Sequence, residues 1–132
     1  MKVIAINSSR KNGNTHKILN ELQKKLAQKD LEVEIVHLLE YKINYCKGCE
    51  LCLRHGQCSI DDDTELLMNK LRDSDGVILS SPVYMRNVTA KLKAFIDRTC
   101  SWYHRPELIG KPALLLSTTA GSALSSNLDY LE

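Results

Sequence analysis

Lys2-Val3-Ile4-Ala5-Ile6-Asn7-Ser8-Ser9-Arg10-Lys11-Asn12-Gly13-Asn14-Thr15 is the stretch that decides the fold. Lys2 to Ile6 is a near-continuous apolar run, the pattern of a strand buried on both faces of a parallel sheet. The polar loop from Ser8 to Thr15 leads into an amphipathic helix with Ile18, Leu19, Leu22 and Leu26 on one face. Strand, polar loop and helix in that order open a βαβ unit.

The same alternation continues along the chain. Leu31 to Leu38 reads as a second strand rich in Val and Ile, followed by a loop from Cys46 to Cys58. Asp62-Asp63-Thr64-Glu65 is expected to cap a helix carrying Leu66, Leu67 and Leu71, with Asp61, Asp62 and Asp63 placed where a helix N-terminus favours negative charge. Gly76 to Leu79 reads as a third strand, with Ser80-Ser81-Pro82-Val83-Tyr84 turning out of it, and Leu92, Phe95 and Ile96 mark the inner face of the next helix. Pro112 to Ser117 is the fourth strand, ending in Thr118-Thr119-Ala120-Gly121-Ser122. Residues 1–132 therefore form one α/β domain, a parallel sheet with helices on both faces and its strand-to-helix loops gathered along one edge. Ligands bind at that edge of such sheets.

Composition narrows the function. With 132 residues and 43% apolar composition, the chain can bury one core and has no room for two. Eighteen basic residues against sixteen acidic ones, scattered rather than clustered, nominate no nucleic acid and no anionic membrane. The apolar N-terminal run is too short for a signal peptide, and no segment is long enough to span a membrane, so a cytoplasmic protein is expected. Five cysteines, four of them between positions 46 and 58, make a poor disulfide framework and point to metal or redox chemistry in a reducing compartment.

Two segments carry the chemistry. The loop from Ser8 to Thr15 offers hydroxyls, backbone amides, a flexible Gly13 and Arg10 at a helix N-terminus, where orphan N–H groups and the helix dipole attract a single phosphate. The bland alternative is a solvated turn in which Asn14 or Thr15 caps the helix. The loop has neither the GxGxxG nor the Walker A glycine pattern. Cys46, Cys49, Cys52 and Cys58 supply four soft thiolate ligands from one loop, enough for a cubane iron-sulfur cluster or one structural zinc. Zinc usually draws its thiolates as two separated pairs, so the successive x2 spacings favour the cluster, and a reduced loop with no metal stays open. His55 reads as a solvated loop residue, Cys100 as a packing residue outside the site, and His16, His37 and His104 have no stronger claim.

Asn7 to Thr15, Ser81-Pro82-Val83-Tyr84 and Leu92-Lys93-Ala94-Phe95-Ile96-Asp97-Arg98 together resemble the NADPH-dependent FMN reductase and iron-sulfur flavoprotein family. The resemblance implies a flavodoxin-like three-layer sandwich that binds flavin mononucleotide (FMN) as an oxidoreductase. It implies that Ser8, Arg10, Asn12, Asn14 and Thr15 hold the FMN phosphate, with Ser9 where relatives often have proline. Pro82, Val83, Tyr84, Met85 and Asn87 would face the isoalloxazine ring, and Thr119, Ala120 and Gly121 would form the third flavin loop. The cysteine run is similar to the compact motif with which iron-sulfur flavoproteins hold a 4Fe-4S cluster beside FMN. Without a cluster, the same resemblance implies a flavin or quinone reductase that takes its electrons from NAD(P)H; with one, a ferredoxin-linked electron carrier. Relatives normally add a fifth strand and helix that is apparently missing here, and commonly form homodimers or larger homo-oligomers. A non-enzymatic flavodoxin-like scaffold or metal-binding module is the alternative to an enzyme.

Overall fold

The computed structural model describes all residues from Met1 to Glu132. Strands β1 (Lys2–Asn7), β2 (Glu32–His37), β3 (Gly76–Pro82) and β4 (Ala113–Thr118) form one sheet in the order β2-β1-β3-β4, every pair parallel. Helices α1 (Asn14–Ala27), α2 (Leu51–His55), α3 (Thr64–Arg72), α4 (Ala90–Arg98) and α5 (Leu124–Leu131) fill the connections. The α/β architecture with a parallel sheet is as expected, with four strands.

Alternation along β1 divides the core in two. Val3 and Ala5 face α1, where they pack with Leu19, Val33 and Ile78. Ile4 and Ile6 face the other way, into a larger cluster with Leu67, Met68 and Leu71 of α3 and Leu92, Ala94 and Phe95 of α4. Leu131 of α5 packs against that second cluster, so one helix covers one face and three cover the other. The central strand is thus apolar on both sides because both sides are buried.

Two boundaries and two short helices differ from expectation. β3 does not turn out at Ser80; it runs on to Pro82, because Ser80, Ser81 and Pro82 stay in register with Leu116, Ser117 and Thr118 of β4. Pro82 is tolerated as the last residue of the strand, where Val83 N–H takes over by donating to Thr118 O. The short α2 inside the cysteine loop and α5 after β4 have no counterpart in the reading of the sequence. Gly13, and not Asn14 or Thr15, is the N-cap of α1.

Leu92 lies at the centre of the larger cluster with no exposed surface. Truncation by Leu92→Ala is expected to cost about 2–5 kcal/mol, the range for a buried leucine that leaves a cavity, read as a fall in the urea midpoint without a change in slope.

Candidate functional site

The carboxyl ends of β1, β3 and β4 point to the same edge, and three loops leave from them. At β1, Ser8 is locked to the sheet: its N–H and Oγ both donate to Ser80 O, at 3.1 and 2.9 Å. Its hydroxyl is therefore committed to holding the loop's first residue against β3. The buried Asn7 then sets the turn, its Oδ1 accepting from Ser9 N–H at 3.2 Å and from Ser9 Oγ at 2.8 Å. His37 Nδ1 meets Asn7 Nδ2 at 2.9 Å, and the His37 ring meets His16 edge to face at 4.6 Å. Burial, then His16 and Lys11, push the His37 pKa down, which keeps that ring neutral and able to accept. His16 Nδ1 in turn accepts from Asn12 N–H at 2.9 Å, fixing Asn12 in a left-handed conformation at φ 63°.

These loops enclose a cavity of about 440 Å³. Of the residues expected there, Arg10, Asn12, Asn14 and Thr15 line it from the first loop, Pro82, Val83 and Tyr84 from the second, and Thr119 and Ala120 from the third. Ser8, Met85, Asn87 and Gly121 do not line it. Met85 is almost wholly exposed, at the tip of a tight hairpin in which Tyr84 and Asn87 exchange backbone hydrogen bonds. Asn87 Oδ1 is taken by Val88 N–H, and Gly121 N–H donates to Thr119 Oγ1. Ser9 and Gly13, from the loop read as phosphate-binding, also line the cavity, as do Lys17 and Thr118, which were not among the expected site residues. Lys17 had a signal: it lies three residues after Asn14, on the turn that faces the loop.

The cavity's chemistry at α1 suits an anion. Gly13 caps the helix with no side-chain hydrogen bond, and the first turn holds no acidic residue, so amide N–H groups remain free beside Arg10 and Lys17. Gly13 has an ordinary φ of −71°, so the flexibility expected of it is not used. It is needed for closeness: a Cβ there would come within 3.2 Å of Arg10 Cγ and Arg10 O. Thr15 Oγ1 meets Thr118 Oγ1 at 2.7 Å, which ties the first loop to the end of β4.

The cysteine loop projects from the same edge after β2. Cys46 and Cys49 are exposed, Cys52 and Cys58 half-buried, and all are free thiols. No three His, Cys, Asp or Glu side chains converge so as to hold a metal ion, so Cys46, Cys49, Cys52 and Cys58 share one loop without forming a closed ligand set. Left-handed Gly48, Glu50 and Gly56 bend the backbone around α2. Cys100, set aside in the sequence, stands beside Cys52: burial pushes the Cys52 thiol pKa up, and Cys100 adds to it.

The two stems of this loop are clamped by a buried ion pair. Arg98, at the end of α4, donates from Nη1 to Asp62 Oδ2 at 2.6 Å and from Nη2 to Asp62 Oδ1 at 3.2 Å. Nη1 also reaches Asn44 O, and Nη2 reaches Ile60 O, at 3.0 and 3.2 Å. Asp62 accepts from Asn44 N–H as well, at 2.8 Å. The expected helix-capping role of Asp62 is thus only part of its work. It does accept from Thr64 N–H at 3.0 Å, but its carboxylate is fully buried against Arg98. Burial opposes its charge, yet Arg98 and the surrounding N–H donors hold its carboxyl well below the usual carboxylate range.

Over residues 1–131 the sequence matches the family described as NADPH-dependent FMN reductase. The chain belongs to that family. Within it, the chain is 49% identical over 112 residues to an iron-sulfur flavoprotein of Archaeoglobus fulgidus, covering 84% of this chain and 51% of that one. A second iron-sulfur flavoprotein, from Methanocaldococcus jannaschii, is 40% identical over 111 residues, 83% of this chain and 55% of that one. The chain spans about half the length of these relatives. Among solved structures, an NADH:FMN oxidoreductase in its apo form superposes with a TM-score of 0.69 at 27% identity, over 98% of this chain and 64% of the other. The four-stranded parallel sheet and this structural likeness bear out the flavodoxin-like fold that the three motifs implied. No helix is long and apolar enough to cross a membrane.

Removing one partner of the Arg98–Asp62 pair leaves the other buried and unpaired. Asp62→Asn is expected to lower stability by about 3–5 kcal/mol. Because Asp62 binds its proton less readily folded than unfolded, its stabilisation is present above its ordinary pKa of 3.8 and is lost as pH falls below it. Urea titrations between pH 7 and pH 3 are expected to show a shallower acid loss for Asp62→Asn than for the parent chain.

Proposed function

We propose that this chain binds FMN in the sheet-edge cavity and serves an oxidoreductase that draws electrons from NAD(P)H or from an iron-sulfur cluster on the cysteine loop. The observation that carries the reading is the convergence of all three loops on one cavity, with an uncapped, acid-free helix N-terminus at one end. FMN fits this donor set: free amides, Arg10, Lys17 and the polar Asn12, Asn14 and Thr15 suit its phosphate, and the walls from Pro82 to Tyr84 and from Thr118 to Ala120 suit its ring. When bound, the flavin supplies hydride and single-electron chemistry that no side chain here offers.

The chain's own residues bind and orient. Ser8 and Asn7 hold the first loop rigid, and the His37–His16 pair fixes Asn12 so that the amides after it stay aimed at the cavity. Tyr84, half exposed, forms a wall that the flavin cavity shares with a neighbouring groove of about 380 Å³ lined by Tyr45, next to Cys46. Tyr45 directly precedes Cys46, so this shared wall supports a short path between the cysteine loop and the proposed flavin site. Cys46, Cys49, Cys52 and Cys58 would hold the cluster, whose binding would also order the loop that carries them. The names of the relatives, iron-sulfur flavoproteins, support this over zinc or a metal-free loop. A ferredoxin is then the fitting protein partner.

The test is a visible absorption spectrum, with iron and acid-labile sulfide assays, on anaerobically purified protein. Flavin bands with about four irons per chain are expected; flavin bands alone would leave the NAD(P)H-dependent reductase, and a colourless protein that takes up no added FMN would overturn the reading. Asn14→Asp separates helix from ligand. A carboxylate in the first turn of α1 is expected to stabilise the helix by about 0.3–1 kcal/mol. It should weaken FMN binding about tenfold by repelling the phosphate, read by fluorescence titration.

A further inference from the structure

Behind the outgoing stem of the cysteine loop lies a second cavity, of about 200 Å³, between the loop, α3 and α4. Cys58 lines it, as do Arg98 and Thr64, which are only 3% and 2% exposed. Each presents a buried polar atom without a partner: Arg98 Nε and Thr64 Oγ1. The rest of the Arg98 guanidinium is fully used on Asp62, Asn44 and Ile60, so Nε–H is the one donor left over. Glu65, which also lines the cavity, has its carboxylate drawn to Arg72 at 3.5 Å. A buried N–H without an acceptor costs free energy, and two orphaned groups in one small cavity beside a thiol call for a shared acceptor.

We propose that Arg98 and Thr64 are positioning residues for Cys58, and that Arg98 Nε–H and the Thr64 hydroxyl are donors held ready for the sulfur that gathers at this corner of the loop. The inference rests on the cluster reading above and extends it to residues outside the cysteine motif. Arg98 already fixes Asn44 and Ile60 on the two stems, so the group that sets the loop's shape also meets the last of its four thiols. Hydrogen bonds to cluster sulfur favour the reduced, more negative state and raise its potential.

The experiment is a redox titration followed by electron paramagnetic resonance on anaerobically reconstituted full chain, with iron and sulfide counted per chain. Thr64→Val keeps the branched shape and deletes the hydroxyl; Arg98→Lys keeps a cation for Asp62 and deletes Nε–H. Both are expected to move the midpoint potential to more negative values at unchanged iron content, Arg98→Lys further than Thr64→Val. Should Arg98→Lys fail to fold by circular dichroism, the shift in Thr64→Val decides alone. Wild-type and variant potentials that coincide at equal iron content would overturn this inference and leave the cluster reading standing, the cavity then being structural only. A wild-type chain that takes up no iron and sulfide would overturn both.

Discussion

The parallel pairing of β1 between β2 and β3 is the constraint from which the rest follows. Because β1 is central, its carboxyl end is fixed from both sides, and the fixing continues past the ladder through Ser8 to Ser80 O and Ser80 Oγ to Ile6 O. The loops after β1 and β3 therefore leave from one rigid point. A parallel sheet sends every such loop to the same edge, so the loops after β1 and β3 and the cysteine loop after β2 share one rim without any contact having to bring them there. The histidine pair refines this, since Nδ1 of His37 and Nδ1 of His16 hold Asn7 and Asn12 in place.

The Arg98–Asp62 pair solves a different problem. Desolvating two charges costs several kcal/mol per ion, and an apolar pair of the same size would hold α4 to the loop without that cost. What an apolar pair would lack is direction. Arg98 reaches a carbonyl on each stem of the cysteine loop while Asp62 accepts an amide from the incoming one, so the stems are fixed relative to each other as well as to the core. The ion pair is better understood as a geometric device than as a source of stability.

Periodicity made the frame legible: Leu19 on α1, Leu67 and Leu71 on α3, and Leu92 and Phe95 on α4 all fall where amphipathic spacing puts them. The first loop was legible too, because its polar residues are consecutive and most of them line the cavity. What was hidden depends on contacts between distant positions. Arg98 at a helix C-terminus looks like an ordinary partner of the helix dipole, and nothing local shows that it is buried against Asp62, thirty-six positions away. Cys100 lies two residues further on and meets Cys52 only because α4 ends against the cysteine loop. Met85 misled for the opposite reason: it follows Tyr84 directly, but the hairpin holds Met85 and Arg86 at φ 47° and 66° and turns the methionine out to solvent.

A loop that binds a metal through four thiolates must satisfy two opposed demands. Its ligands must be free to close around the metal, since the energy of forming the site is also the energy of ordering it. Its stems must not be free, because the entropy of closing a loop is smaller when the ends are already held together. The chain divides these demands by position. Between residues 46 and 56 the backbone passes through three left-handed residues and two exposed cysteines, with few bonds to the core. At residues 44, 60 and 62 it is bound by a fully buried guanidinium. Cys58 lies at the border, two residues before the clamped Ile60, and so is the thiol of the four most nearly fixed in position. On the proposed cluster reading, one corner set by the clamped stem and three ligands on the unclamped arc would let the loop close around a metal and still specify one site.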